Sequence, residues 1–119
     1  MRKHILIVED DRPLATMYRT ALGFEGFDVA VAADGLSALR HIDARRPDLI
    51  VLDLHLPQLR GEAILREIQA HPELCDTPVI VVTADEPKAA VAQATAILRK
   101  PCMPDRLLSV IDRHLRPAA

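Results

Sequence analysis

Five short apolar runs, separated by segments whose apolar residues recur at helical spacing, constrain this chain more than any other feature. The runs are Ile5–Val8, Phe27–Ala32, Leu49–Leu52, Val79–Val82 and a weaker Ala96–Leu98. Each is bounded by turn formers or charges, the pattern of strands buried on both faces. Between them Leu14, Met17, Tyr18, Ala21 and Leu22 repeat at three and four, as do Leu36, Leu39 and Ile42. Ala63, Ile64 and Ile68 make a third stripe, and Leu107, Leu108, Ile111 and Leu115 a last one. The stretch Glu86–Ala94 is alanine-rich, opens near Pro87 and supports only a short helix, so the fourth helical segment is shortened. Strict alternation of strand and helix predicts an α/β fold, a doubly wound five-stranded parallel sheet with helices on both faces.

Turn chemistry agrees. Asp11 precedes the first helical stripe with Pro13 in its opening turn, and Asp34-Gly35 opens the second. Pro47 and Pro78 stand just ahead of strands, where a preceding helix must stop. The 119 residues suit one domain spanning 1–119, with no internal repeat, low-complexity tract or linker. Half the residues are hydrophobic, which excludes intrinsic disorder, and with aromatics at 3% and no Trp the core is aliphatic.

Composition narrows the function classes too. No apolar run approaches the ~18 residues of a membrane span, so a soluble chain without membrane partners is expected. The start, basic then apolar, meets Glu9-Asp10-Asp11 far too early for a signal peptide. Cys75 and Cys102 lie in unrelated segments without metal-ligand spacing, which a reducing cytoplasm accommodates. A net charge of −2 gives no reason to expect direct nucleic-acid binding.

In sheets of this kind ligands bind beyond the carboxyl ends of the strands. The first strand ends in Glu9-Asp10-Asp11, the third in Asp53, the fourth in Thr83 and the fifth in Lys100-Pro101. Taken singly, Asp11 reads as a helix cap, Glu9 and Asp10 as solvated loop charges, Thr83 as ordinary strand chemistry and Lys100 as an exposed charge. Asp53 is harder to dismiss, because it directly follows a buried strand. With strand order 2-1-3-4-5 the four ends are contiguous, and strands ~4.8 Å apart make Asp10, Asp53 and Thr83 converge. Lys100, two strands or ~10 Å from Asp53, has the length to reach it. Clustered carboxylates repel and raise one another's pKa values unless a cation joins them. Mg²⁺ suits such a set, since it takes one or two carboxylates with water and phosphate oxygens. A divalent cation, one unshared carboxylate, a hydroxyl and an ammonium form a site for phosphoryl transfer. The first βα turn lacks glycines and is acidic, which argues against a bound flavin phosphate there.

Over essentially its whole length the chain resembles the receiver domains of two-component response regulators, which share a flavodoxin-like strand order. Ile5-Leu6-Ile7-Val8-Glu9-Asp10-Asp11 is similar to the family's first strand and acidic pair. Asp53-Leu54-His55-Leu56-Pro57-Gln58-Leu59-Arg60-Gly61 resembles its phosphoacceptor segment, and Thr83-Ala84 and Lys100-Pro101 match the two remaining marks. The resemblance implies Asp53 as the residue phosphorylated from a histidine kinase or a histidine phosphotransfer protein. It implies Mg²⁺ held by Asp10, Asp53, the His55 backbone carbonyl and Glu9, the last mainly through water. Thr83 and Lys100 would contact phosphoryl oxygens, and the Lys100–Pro101 bond would be cis. Such a domain catalyses transfer to itself and its own hydrolysis, without an independent turnover substrate.

Two departures stand out. Ile97 occupies the position, three before the Lys, where the family usually carries Tyr or Phe, and Cys102 stands where Phe is common. The stretch from Thr83 to Lys100 is also shorter than usual by at least a helical turn. The phosphorylation site is therefore expected intact and the usual signalling face reworked. A phosphorylation-independent interaction module is the alternative these departures favour. A small Mg²⁺-dependent aspartate-nucleophile phosphatase would want a second Asp two residues after Asp53, where His55 stands. His55 and Asp85 are candidates for shaping access to the phosphoryl group, with Asp85 as a simple cap ahead of Pro87 the plainer alternative. His4, His41, His71 and His114 read as scattered surface residues.

Overall fold

The computed structural model describes residues 2–86 and 91–115. The elements in chain order are β1 (His4–Val8), α1 (Arg12–Phe24), β2 (Asp28–Ala32), α2 (Gly35–Ala44), β3 (Leu49–Asp53), α3 (Gly61–Ala70), β4 (Val79–Thr83), β5 (Ala96–Arg99) and α4 (Pro104–Leu115). The strands form one parallel sheet in the order β2-β1-β3-β4-β5, as the alternating pattern requires. Of the expected short helix over Glu86–Ala94, residues 87–90 lie outside the described residues. Its last part is a turn closed by Ala94 N–H on the Val91 carbonyl at 3.0 Å.

Successive strand residues feed opposite faces of the sheet. Leu6, Val8, Ile50, Leu52, Val79 and Val81 pack beneath α2 and α3, against Ala38, Ile42, Ile64, Leu65 and Ile68. Ile5, Ile7, Leu49, Val51, Ile80, Val82 and Leu98 face α1 and α4, against Tyr18, Leu22, Leu107, Val110 and Ile111. Each such aliphatic side chain contributes ~1.5–3 kcal/mol by leaving water. The helices begin where the sequence signals stand: Leu14 N–H donates to Asp11 Oδ1 at 3.2 Å and Ser37 N–H to Asp34 Oδ1 at 2.7 Å. No helix of the described residues is long and apolar enough to cross a membrane.

Each strand differs from its apolar run by one residue: β1 begins one earlier at His4, β2 one later at Asp28, and β3, β4 and β5 each end one residue later. Asp53 and Thr83 are the last residues of β3 and β4, because ladder pairing to Val82 and Arg99 continues one step past the last apolar side chain. His4 is a correction. His71 and His114 are exposed and His41 is half-buried, but His4 is buried as the first residue of β1. Its backbone N–H donates to Asp48 Oδ2 at 2.7 Å and its Nδ1 lies 3.1 Å from the Asp28 carbonyl. The buried imidazole stays satisfied because the carbonyl of Asp28, the first residue of β2, accepts from it.

Candidate functional site

The carboxyl ends of β1, β3 and β4 lie side by side, so the residues just past one strand meet those just past its neighbour. Asp53 closes β3 and is 3% exposed; Glu9, directly after β1, is equally buried, and Asp10 beyond it is exposed. Glu9 is fixed by its own N–H on the Ala32 carbonyl at 3.0 Å and by Asp11 N–H on its Oε2 at 3.3 Å. One carboxylate oxygen from each of Glu9, Asp10 and Asp53 lies within 4.8 Å of the others.

Lys100 reaches this cluster from beyond β5. Its Nζ lies 2.9 Å from Glu9 Oε1 and 3.6 Å from Asp53 Oδ2, while its N–H donates to the Thr83 carbonyl at 2.8 Å. The Lys100–Pro101 peptide is cis, as the resemblance implied. Asp53 Oδ1 accepts the His55 N–H at 3.2 Å. Thr83 is fully buried, with its Oγ1 accepting the Asp85 N–H at 3.2 Å. Across the mouth the His55 ring Nε2 contacts the Asp85 carboxylate, joining the loops after β3 and β4. Arg99 braces the second loop through Glu86 at 2.8 Å and the Ala84 carbonyl at 3.3 Å.

Electrostatics follow from burial. Removal from water pushes the Glu9 carboxyl up to about 7; Lys100 opposes the rise and the adjacent Asp53 adds to it. Burial alone would lower the Lys100 ammonium, but its hydrogen bond to Glu9 and the charge of Asp53 outweigh that and raise it. One ammonium facing three carboxylates leaves negative charge uncompensated. Hard oxygen donors at this spacing fit a divalent cation such as Mg²⁺.

The loop returning from Asp53 to α3 depends on close backbone approach. Gly61 N–H donates to the Leu54 carbonyl at 3.2 Å, and a Cβ on Gly61 would stand 2.6 Å from both the Asp53 carbonyl oxygen and Leu54 Cα. Only glycine lets α3 start there without moving the strand end that carries Asp53.

Residues 5–112 match the response regulator receiver domain family. The chain belongs to that family. Receiver domains of two-component response regulators accept a phosphoryl group on an aspartate. This one is 36% identical, over 98% of its length, to the DNA-binding response regulator MtrA of Mycolicibacterium paratuberculosis, and covers 52% of that protein. The chain thus spans about half the length of the curated relatives it matches. Among solved structures it is similar to the chemotaxis protein CheY4 of Vibrio cholerae, with TM-score 0.90, 28% identity, and coverage of 97% of this chain and 100% of that one. The receiver domain of the sensor histidine kinase PA1611 from Pseudomonas aeruginosa matches with TM-score 0.87 and 30% identity over 96% of this chain and 98% of that one. That structure is described with a magnesium ion coordinated in its active site cleft.

The fold thus gathers Glu9, Asp10, Asp53 and Lys100, with Thr83 at the adjacent strand end and His55 beside Asp53 through its backbone. Sequence reasoning missed how deeply Glu9 is buried, and a buried hydrogen bond from the Tyr18 hydroxyl to the Cys102 carbonyl at 2.7 Å. The one signal for the latter was a phenol among the apolar positions of α1.

Proposed function

We propose that Asp53 is the phosphoacceptor of this receiver domain and that a histidine kinase or histidine phosphotransfer protein is its donor. The observation that carries the reading is a carboxylate 3% exposed at a strand end, 3.6 Å from a lysine ammonium and clustered with two further acids. A carboxylate oxygen of Asp53 attacks the phosphorus of a phosphohistidine in line. The P–N bond breaks, the imidazole leaves with that electron pair, and an acyl phosphate forms on Asp53. Attack by water then returns inorganic phosphate and the free carboxylate.

Glu9, Asp10, Asp53 and the His55 backbone carbonyl would hold Mg²⁺, which supplies positive charge opposite the transferring oxygens. Lys100 Nζ supplies the second positive charge. The Thr83 hydroxyl, whose oxygen accepts the Asp85 N–H, donates its own hydrogen to a phosphoryl oxygen. The new group carries roughly −1.5 to −2 of charge. Movement of Thr83 and its loop toward that charge switches a protein-binding surface for a downstream partner. The domain covers 1–119, acts in the cytoplasm, and engages neither nucleic acid nor membrane itself. It transfers phosphate to itself and hydrolyses it, without another substrate.

A phosphate-independent interaction module is the second reading. It is favoured by Ile97, a half-buried aliphatic side chain packed against the core on the α2–α3 face of the sheet where the family usually carries a ring. Intact mass after incubation with Mg²⁺ and a small acyl phosphate separates the two. One added phosphoryl group, lost in Asp53→Asn and without metal, is expected. An unmodified chain under conditions where Mg²⁺ binds and hydrolysis is slow refutes the phosphoacceptor reading.

A further inference from the structure

Tyr18 is the only tyrosine in the chain and, among the described residues, the largest fully buried side chain. It sits between Ala15 and Leu22 on the inward stripe of α1, within the cluster formed by Leu98, Cys102, Leu107 and Ile111. Leucine or phenylalanine would fill such a place without carrying a hydroxyl indoors. A phenol there needs a partner, and Tyr18 donates to the Cys102 carbonyl at 2.7 Å, across 84 residues of sequence. Burial raises the phenol's pKa, so it stays a donor throughout the ordinary pH range.

Cys102 lies two residues beyond Lys100, on the short path from β5 into α4. That path is held from two sides. Lys100 N–H is bound to the Thr83 carbonyl of β4, and the Cys102 carbonyl is bound to α1. Pro101 between them has no N–H to donate. The reach of Lys100 Nζ to Glu9 at 2.9 Å and Asp53 at 3.6 Å starts from a backbone pinned at both these points. α1 itself begins at the Asp11 cap, directly after the acidic pair. One hydrogen bond therefore ties the helix beyond the acids to the loop that delivers the ammonium.

We infer that Tyr18 is a positioning residue for phosphoryl transfer, setting the placement of Lys100 through its hydrogen bond to the Cys102 carbonyl. The inference rests on the phosphoacceptor reading above. Its test uses the full chain with Mg²⁺ and a small acyl phosphate, following phosphorylation by intact mass. Tyr18→Phe keeps the ring and removes the donor. It should slow phosphorylation roughly three- to tenfold, the scale of one buried hydrogen bond. In a Lys100→Ala background the same substitution should change the rate by less than about twofold, because the group it acts through is gone. Mg²⁺ affinity should stay within about twofold of wild type, since Glu9 and Asp53 keep their bonds from the Asp11 and His55 N–H groups.

An unchanged rate in the Tyr18→Phe protein, an equal loss in both backgrounds, or a parallel loss of Mg²⁺ affinity would overturn the inference and leave Tyr18 a core tyrosine. A second arm does not depend on Tyr18→Phe folding or on phosphorylation. Uniform incorporation of a ring-fluorinated tyrosine labels position 18 alone. Its fluorine resonance should shift when Lys100→Ala frees the loop, and an unmoved resonance counts against the coupling. Failure of the wild-type chain to accept phosphate would instead refute the phosphoacceptor assignment.

Discussion

Burial of Glu9 beside a second buried acid outweighs its ion pair with Lys100, so stability should depend on pH in a direction opposite to a carboxylate whose ion pair dominates. The Glu9 pKa rises from 4.5 to about 7 on folding, with burial the main cause. Between these values the folded chain retains a proton that the unfolded chain has released, so stability falls as pH rises. The contribution is full below 4.5 and lost through 7. Integrating the two titrations from about pH 5 to about pH 8 gives a loss of at most about 2–3 kcal/mol, or a Tm lower by roughly 10 °C. The assay is urea unfolding of the metal-free protein across that range, beside Glu9→Gln. The difference between the two proteins isolates Glu9, because the other titrating groups are common to both. Wild type should lose stability relative to Glu9→Gln as pH rises. Added Mg²⁺ should recover more of it at about pH 8 than at about pH 5, because binding stabilises the folded state and the proton competes for Glu9. Parallel pH curves for the two proteins would refute the reasoning.

Gly61→Ala should destabilise the fold by about 1–3 kcal/mol in urea unfolding, because the new Cβ meets backbone rather than a movable side chain. The same substitution should slow phosphorylation, since the displaced backbone is that of Asp53 and Leu54; a stable, fully active variant would contradict the packing argument. Asp85→Ala removes the partner of the half-exposed His55 ring and an acid from the mouth of the site. Phosphorylation by a small anionic donor should then quicken by up to roughly fivefold, the scale of an exposed ion pair, and an unchanged rate would assign Asp85 to loop capping alone.

The fold was legible because its information is local and periodic. Buried parallel strands must be apolar on both faces, so Ile5–Val8, Leu49–Leu52 and Val79–Val82 announce themselves, and the four helices follow from stripes and from the Asp11 and Asp34 caps. The apolar runs alone miss each strand boundary by one residue, since pairing such as that at Asp53 and Thr83 is a backbone property that side-chain hydropathy does not report. His4 was misplaced for a related reason. Its burial depends on Asp28 and Asp48, both distant in sequence, coming to accept from it.

The site was legible for a different reason, and less completely. Once the strand order is granted, residues directly after parallel strands converge whatever their spacing in the chain, which is why Glu9, Asp10, Asp53 and Lys100 could be grouped before any distance was known. That argument cannot supply which acid is dry or how the lysine is held. Glu9 is buried and Asp10 exposed although they are adjacent, because the backbone alternates direction as β1 ends against β2. The Tyr18–Cys102 bond joins an interior helical position to a loop carbonyl, and no pattern of residue types marks a backbone acceptor. The transferable part of the site is thus written in strand ends. The Tyr18 tether and the His55–Asp85 contact lie instead in contacts between elements that become visible only when the elements are packed.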